Sequence, residues 1–236
     1  MKITDKIHPS WFPLMNTLYE DPLLHLNTNI LPNISYCPER DFIFRALEMP
    51  MTSIKAVILG QDPYPTIGRA TGYAFTVSST SIKPKSLQII ENEVKRSDSA
   101  HIEGEPNIAN WPNQGILLLN TALTVETGRP GSHLKYWRPF IEKLVSHIIS
   151  FHPCIWMLWG SNAKSFIKLF PINHIKVNGY NRESIEQIPI DPYVNYVLTS
   201  DHPMVEEYGS GKFYGNDHFY FVNRIFSRQR KQNIIW

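Results

Sequence analysis

Cysteine is scarce in this chain, and the two that occur, Cys37 and Cys154, are far apart. Neither has the spacing of a zinc ribbon or an iron–sulfur cluster, which excludes such a centre built from this chain alone. No apolar run approaches the roughly 18 residues of a membrane-spanning helix. The first ten residues show neither a secretory signal nor a transit peptide, so we expect an intracellular protein, nuclear or cytoplasmic, without a membrane partner.

An excess of charge is also missing. The chain has 23 Lys and Arg against 21 Asp and Glu, a net charge of +2, which is too small to indicate nucleic-acid binding by itself. Any basic surface must therefore be local. A hydrophobic content of 42% excludes a disordered chain, and the absence of repeats or low-complexity linkers in 236 residues predicts one domain over residues 1–236.

Four short apolar runs have the length and composition of strands buried on both faces. They cover residues 56–59, 116–119, 154–159 and 193–198. Helical periodicity follows each run, over residues 86–96, 136–150, 163–169 and 219–227. The alternation predicts an α/β fold, a three-layer α/β/α sandwich around a central four-stranded parallel twisted sheet.

Two further patterns lie outside this alternation. Residues 11–19 and 42–47 have helix-like spacing and predict helices that cover the sheet. Residues 171–192 are polar and weakly patterned, and we interpret them as an insertion.

Polar side chains follow all four predicted strands. Gln61 and Asp62 follow the first strand, Asn120 the second, Ser161 the third and His202 the fourth. Because ligands bind at the carboxyl ends of parallel strands, we expect these residues, with Tyr64, to line one pocket. Each has an ordinary alternative, such as an Asp-Pro turn cap for Asp62, a strand cap for Asn120 and a loop histidine for His202.

These motifs resemble those of family 1 uracil-DNA glycosylases. The first is Gly60-Gln61-Asp62-Pro63-Tyr64 with Gly72 and Phe75, and the second is the strand end Leu117-Leu118-Leu119-Asn120-Thr121. Leu158-Trp159-Gly160-Ser161-Asn162-Ala163 and His202-Pro203 are the third and fourth. The resemblance extends from about Trp11 to Trp236 and implies an enzyme that flips uracil out of DNA and hydrolyses its N-glycosidic bond, initiating base excision repair.

The resemblance also implies roles for individual residues. Asp62 would orient or activate the water, and His202 would donate a hydrogen bond to the uracil oxygen. Asn120 would contact the uracil edge at two points and reject cytosine. Phe75 would stack on the base and Tyr64 would exclude the methyl group of thymine, although core packing is the alternative for both rings. Gln61 would contribute through its backbone, and the hydrolysis needs neither metal nor redox cofactor.

DNA contact would come from short loops. The resemblance places Lys83, Pro84, Lys85 and Ser86 in a Pro-rich loop before a helix, where a helix N-terminus holds phosphate. Ser161 and Asn162 would hold a second phosphate at another helix start. For these Ser and Asn residues the alternative is a plain N-cap.

The loop after His202 departs from the family pattern. Ser-Pro-Leu-Ser is replaced by Met204-Val205-Glu206-Glu207, which removes a phosphate-binding serine and the leucine that wedges into the base stack. Met204, Val205 and Tyr208 are the candidate wedges, and the two glutamates would repel phosphate. Pro65 stands where cellular members usually have histidine. Such departures are typical of a divergent member, for example from a large DNA virus acting in its host cell.

The leading hypothesis is therefore a monomeric, monofunctional glycosylase whose partner is uracil-containing DNA, single- or double-stranded. One alternative is a DNA-binding scaffold subunit of a viral replication or processivity complex, with weak or no glycosylase activity. Another is a glycosylase of different specificity, such as a mismatch-thymine enzyme. A replication protein and an inhibitor that mimics DNA are further candidate partners.

Overall fold

The secondary structure follows the apolar patterns of the chain. The structure, a computed structural model, describes residues 6–15, 23–98, 101–178, 180–209 and 211–236. Within them the strands are β1 (Tyr36–Cys37), β2 (Ala56–Gly60), β3 (Ile116–Asn120), β4 (Val125–Glu126), β5 (Ile155–Trp159), β6 (Ile175–Lys176) and β7 (Tyr196–Ser200). The α-helices are α1 (Phe12–Met15), α2 (Leu23–His25), α3 (Lys85–Ser97), α4 (Leu134–Phe151), α5 (Gly160–Lys164) and α6 (His218–Arg228).

Shorter helical turns connect these elements. A π-helical turn covers Leu26–Ile30. The 3₁₀ turns are Pro9–Trp11, Leu31–Asn33, Arg40–Phe42, Arg45–Glu48, Met51–Ser53, Ile108–Gln114, Ser165–Leu169, Ile185–Gln187 and Pro203–Tyr208.

Five strands form one parallel sheet in the order β3-β2-β5-β7-β6. Every residue of β2, β3 and β5 is buried, as expected for strands covered on both faces. The α/β class is confirmed, but the predicted count of four strands is wrong. The fifth strand, β6, is two residues long and lies in the polar segment 171–192, so it has no apolar pattern to detect. A separate antiparallel pair joins β1 and β4.

The helix predictions are confirmed for α3, α4 and α6 and corrected elsewhere. The helix predicted over residues 42–47 is wrong. This stretch contains the last residue of the 3₁₀ turn Arg40–Phe42 and most of the 3₁₀ turn Arg45–Glu48. Of residues 11–19, only those up to Met15 are described, and residues 16–19 lie outside the described part. α5 begins at Gly160, earlier than predicted, and continues as a 3₁₀ turn.

The chain divides into two compact units. The first unit comprises Met1–Ile54, Leu59–Ile82 and Leu118–His152, and the second comprises Lys55–Ile58, Lys83–Leu117 and Pro153–Trp236. Strands β2 and β3 begin in the second unit and end in the first. The expectation of one domain over residues 1–236 stays a prediction.

Each unit has its own aromatic core. In the first, the Trp137 indole donates to Thr124 Oγ1 at 2.7 Å and packs edge-on against Phe44 and Phe140. In the second, Trp111 packs edge-on against Trp236 with ring centroids 5.1 Å apart. These cores position the strand ends that carry the candidate site.

Candidate functional site

Backbone hydrogen bonds join the loop after β2 to the loop after β3. The Thr121 amide donates to the Gly60 carbonyl at 2.9 Å. The Gln61 carbonyl accepts from Thr121 Oγ1 at 2.8 Å and from the Ala122 amide at 2.9 Å. The polar residues that follow both strands are therefore fixed at one edge of the first unit.

Asp62 presents an oriented, half-buried carboxylate. Its Oδ2 accepts from the Gly131 amide at 2.5 Å, and its Oδ1 accepts from Gln61 Nε2 at 3.3 Å. Burial raises the pKa of Asp62, and these two hydrogen bonds partly oppose the shift. The bond to Gly131, on a distant loop, goes beyond an Asp-Pro turn cap. A desolvated carboxylate in a fixed orientation suits a group that must hold or deprotonate water.

Asn120 ends β3 with its side chain turned inward. The residue is 3% exposed, yet no hydrogen bond from the described part of the chain engages its amide. A Cβ atom on Gly60 would lie 2.3 Å from Asn120 Oδ1, so only glycine at that position leaves room for the amide. The amide atoms keep some access to solvent, and they have no partner among the described residues, so this geometry favours a ligand as their partner over a strand cap.

Two aromatic residues of the first motif lie in the same unit. Phe75 is 8% exposed and has a φ of 60°, the left-handed region that bulky residues rarely adopt. Its burial agrees with core packing, but strained backbone of this kind clusters at functional sites. Tyr64 is half-buried, and the Arg69 guanidinium lies over its ring, 5.6 Å from the centroid.

His202 follows β7 in the second unit. Its Nδ1 accepts from the Met204 amide at 3.2 Å, and burial lowers the pKa of His202. The imidazole is therefore neutral at neutral pH, with its proton on Nε2, which makes Nε2 a hydrogen-bond donor. A Cβ atom on Gly160 would lie 2.8 Å from His202 Cβ, so this glycine permits the close approach of α5.

The three candidate wedges lie on the 3₁₀ turn Pro203–Tyr208 and differ in their exposure to solvent. Met204 and Val205 are half-buried, and a Cβ atom on Gly211 would lie 2.3 Å from Val205 Cγ2, so Val205 packs against Gly211. Tyr208 is 74% exposed. Of the three, only Tyr208 presents a large apolar side chain to solvent.

The two glutamates of this turn are engaged within the second unit. Glu206 Oε1 accepts from the backbone amides of Phe213 and Tyr214, the latter at 2.9 Å. Glu207 lies 3.6 Å from Lys85 Nζ. Their charge is thus partly compensated, which weakens the repulsion expected from the sequence.

The predicted DNA-contacting residues of the Pro-rich loop surround the start of α3. Lys83 Nζ bonds to both oxygens of Glu91, at 2.8 and 2.9 Å, so part of its charge is neutralised. Pro84 occupies the N-cap position, and Ser86 lies in the first turn. Ser161 and Asn162 likewise lie in the first turn of α5, whose N-cap is Trp159. The N-cap alternative is therefore wrong for Ser86, Ser161 and Asn162.

The candidate residues fall into two groups, one in each unit. Gln61, Asp62, Tyr64, Phe75 and Asn120 belong to the first unit, and His202 with the predicted DNA-contacting residues belongs to the second.

Sequence reasoning assigned no role to Gly131, whose amide positions Asp62, and it placed Gly160 in a motif without linking it to His202. The signal for Gly131 was the turn sequence Arg129-Pro130-Gly131, but a turn sequence does not reveal which side chain its amide contacts.

No group of three or more His, Cys, Asp or Glu residues in the described part of the chain is placed to hold a metal ion. Of the helices in the described ranges, none has the length and apolar character required to span a bilayer.

Comparisons with known proteins show the family of the chain. The model of the uracil DNA glycosylase superfamily matches residues 48–224. The chain is 31% identical to a uracil-DNA glycosylase of Pseudomonas aeruginosa (strain UCBPP-PA14), covering 98% of this chain and 94% of that protein. It is 37% identical to a uracil-DNA glycosylase of Psychromonas ingrahamii over 84% of both chains.

Solved structures are similar in fold. Mimivirus uracil-DNA glycosylase superposes with a TM-score of 0.78 at 23% identity, covering 100% of this chain and 89% of that chain. A mimivirus UNG variant in complex with UGI superposes with a TM-score of 0.79.

Proposed function

The chain belongs to the uracil-DNA glycosylase superfamily, and we propose that it removes uracil from DNA by hydrolysing the N-glycosidic bond, leaving an abasic site. The observation within the structure that best supports this proposal is the amide of Asn120, a residue only 3% exposed, which has no hydrogen-bond partner in the described part of the chain. An amide offers one acceptor and one donor side by side, which matches the N3–H and O4 of uracil.

The uracil-binding residues act by shape and hydrogen bonding. Phe75 stacks on the flipped base, Tyr64 occupies the space that the methyl group of thymine needs, and the Gln61 backbone completes the pocket. Cytosine presents an acceptor at N3 and a donor at N4, the reverse of uracil. Asn120 oriented for uracil leaves both groups of cytosine mispaired, which is a strong basis for rejection.

Asp62 and His202 carry the chemistry in this proposal. Asp62 orients a water molecule and takes its proton as the water oxygen bonds to C1′ of the deoxyribose. The bond from C1′ to uracil N1 breaks, and its electron pair leaves with the base. His202 donates from Nε2–H to uracil O2, where negative charge accumulates, and the neutral tautomer fixed by the Met204 amide supports this role.

DNA is held by the residues around two helix starts. Lys83, Pro84, Lys85 and Ser86 contact one phosphate in this proposal, and Ser161 and Asn162 contact another. Met204 and Val205 are assigned to the same surface, where they support the turn rather than enter the base stack, because both are half-buried. The ion pairs of Lys83 and Lys85 would exchange for phosphate on binding.

Two kinds of partner protein are also proposed, an inhibitor and a replication protein. One solved structure of similar fold is a complex with UGI, which supports testing a protein inhibitor on this chain. A replication or processivity partner stays a proposal from the sequence alone.

The direct test uses single-stranded oligonucleotides that carry one deoxyuridine, deoxycytidine or thymidine at the same position. Single strands need no wedge, so the assay isolates the pocket. We expect release of uracil alone. Release of thymine would favour the mismatch specificity, and no release from folded protein would favour the scaffold function.

Replacement of the exposed Tyr208 tests the wedge. We expect Tyr208→Ala to lower uracil release from duplex DNA about tenfold, because the vacated stack loses a contact of about 1–3 kcal/mol. Release from single strands should stay within twofold. The measurement is kcat/KM on both substrates.

Tyr193→Ala is the matched control, since Tyr193 is 84% exposed and lies on another loop. An equal loss on duplex and single-stranded DNA in Tyr208→Ala would contradict a wedge.

A further inference from the structure

The second unit contains a cavity of about 340 Å³ beside the segment that leads into His202. We call it the side cavity. Its lining includes Lys164 from α5, Ser200 at the end of β7, Asp201 directly after this strand, and Lys212 from a later loop. The proposed reaction assigns no role to any of these residues.

Segment 171–192 forms one wall of the side cavity. The Val177 amide donates to the Val197 carbonyl at 2.9 Å, which extends the pairing of β6 with β7. The Asn178 side chain then continues the ladder, because its Oδ1 accepts from the Thr199 amide at 2.6 Å and its Nδ2 donates to the Thr199 carbonyl. Tyr180 adds an aromatic ring to this wall. Segment 171–192, to which the sequence analysis gave no function, therefore extends the sheet and lines this cavity.

The charged lining favours an anion. Asp201 Oδ1 lies 3.2 Å from Lys164 Nζ, and Asp201 Oδ2 accepts from the Lys212 backbone amide at 3.3 Å. The Lys212 ammonium forms no ion pair with the described residues. The carboxylate thus pairs with the ammonium of Lys164 and with the backbone amide of Lys212. Lys164, Asp201 and Lys212 together give the cavity a formal charge of +1.

The remaining lining is neutral and partly apolar. His218 is a buried residue of the lining, and its Nδ1 accepts from Trp159 Nε1 at 2.9 Å. Burial lowers the pKa of His218 to about 3, so it carries no charge near neutrality. Leu198 and Phe221 are apolar neighbours, and the Asn216 amide and Ser200 hydroxyl supply polar contacts.

We propose that the side cavity binds a phosphate-bearing nucleotide, with the phosphate at Lys212 and Lys164 and the sugar or base against Tyr180 and Phe221. A volume of about 340 Å³ is at the small end of ligand sites and suits one nucleotide rather than a longer segment. The site is adjacent to the reaction because Ser200 and Asp201 precede His202 directly. This inference rests on the proposed function, because one natural source of the bound nucleotide would be the DNA strand on which the enzyme acts. The other source would be a free nucleotide.

The test is a titration of the full chain with thymidine 5′-monophosphate. Binding is monitored by NMR through the chemical shifts of the backbone amides of Asn178, Thr199 and Asn216. Thymine is excluded from the uracil pocket in the proposed function, so this probe reports a second site. We expect shifts at these amides, and about tenfold weaker binding in Lys212→Gln. Lys176→Gln is the control. This substitution removes the same charge, but Lys176 is an exposed residue on β6 that does not line the cavity.

Three results would overturn the proposal: no shifts at these amides, equal affinity in Lys212→Gln and wild type, or equal affinity for thymidine without phosphate. Oligothymidylate of five residues distinguishes the sources. Tighter binding with the same shifts assigns the site to the strand, and shifts with the mononucleotide alone assign it to a free nucleotide. Uracil release by the same samples tests the proposed function separately, because a chain that releases uracil but shows no cavity shifts fails only this inference.

Discussion

Asp62→Asn is expected to lower uracil release from a single-stranded oligonucleotide about 10³-fold while the protein remains folded. Asparagine keeps the size of the side chain, and its Oδ1 still accepts from the Gly131 amide. It cannot accept a proton from water or balance positive charge on the sugar. The loss should therefore appear in kcat, measured by single-turnover release.

The pH profile gives this prediction a second readout. Burial raises the pKa of Asp62, and the reaction needs the ionised form, so wild-type activity should fall with decreasing pH through that raised value. Burial lowers the pKa of His202, which keeps its imidazole neutral at neutral pH. The residual activity of Asp62→Asn should lack the acid limb that Asp62 produces.

Asp191→Asn is a matched control, because Asp191 also precedes a proline and caps its own turn through the Tyr193 amide at 2.8 Å. Activity of this variant should equal that of wild type. If Asp62→Asn releases uracil at the rate of Asp191→Asn, Asp62 is a turn residue and the catalytic assignment fails.

Asn120→Asp is expected to lower uracil release by about 10²–10³-fold, because the donor facing uracil O4 is replaced by a second acceptor in a buried site. The carboxyl group has the size of the amide and fits beside Gly60. Its oxygen can accept from the N4 amino group of cytosine, and in its protonated form the group can also donate to cytosine N3. Cytosine release should therefore become measurable in this variant.

Asn120→Ala distinguishes the loss of the contact with uracil from a change of preference between uracil and cytosine. It should lose uracil release to a similar degree but gain no release of cytosine, with both bases quantified from otherwise identical oligonucleotides. Unchanged uracil release in either variant, with thermal unfolding like wild type, would show that the amide does not contact the base.

Much of the fold was accessible from local pattern. The four long strands β2, β3, β5 and β7 were predicted within about three residues, because strands buried on both faces require uninterrupted apolar runs. The polar residues directly after them were also visible, which is why Asp62, Asn120 and His202 could be named from the sequence. Those assignments stay predictions until the variants are measured.

Elements without a side-chain pattern were not accessible. Strand β6 has two residues, and what extends it is the Asn178 side chain bonded to Thr199, a long-range contact. Glu206 appeared to be a surface charge, but its carboxylate binds two backbone amides seven and eight residues further on. In both cases the partner is a backbone group, which carries no signature in the sequence.

The sequence by itself determined the α/β class, the buried strands and the identity of the polar residues at their ends, because burial and turn chemistry depend on residue type. The tertiary structure decided the strand order, the environment of each polar group and the side cavity. It shows that Gly131 orients Asp62, that Gly60 leaves space for the Asn120 amide, and that the Met204 amide fixes the His202 tautomer. Such contacts join groups distant along the chain or involve backbone atoms that every residue has, so only folding brings them together.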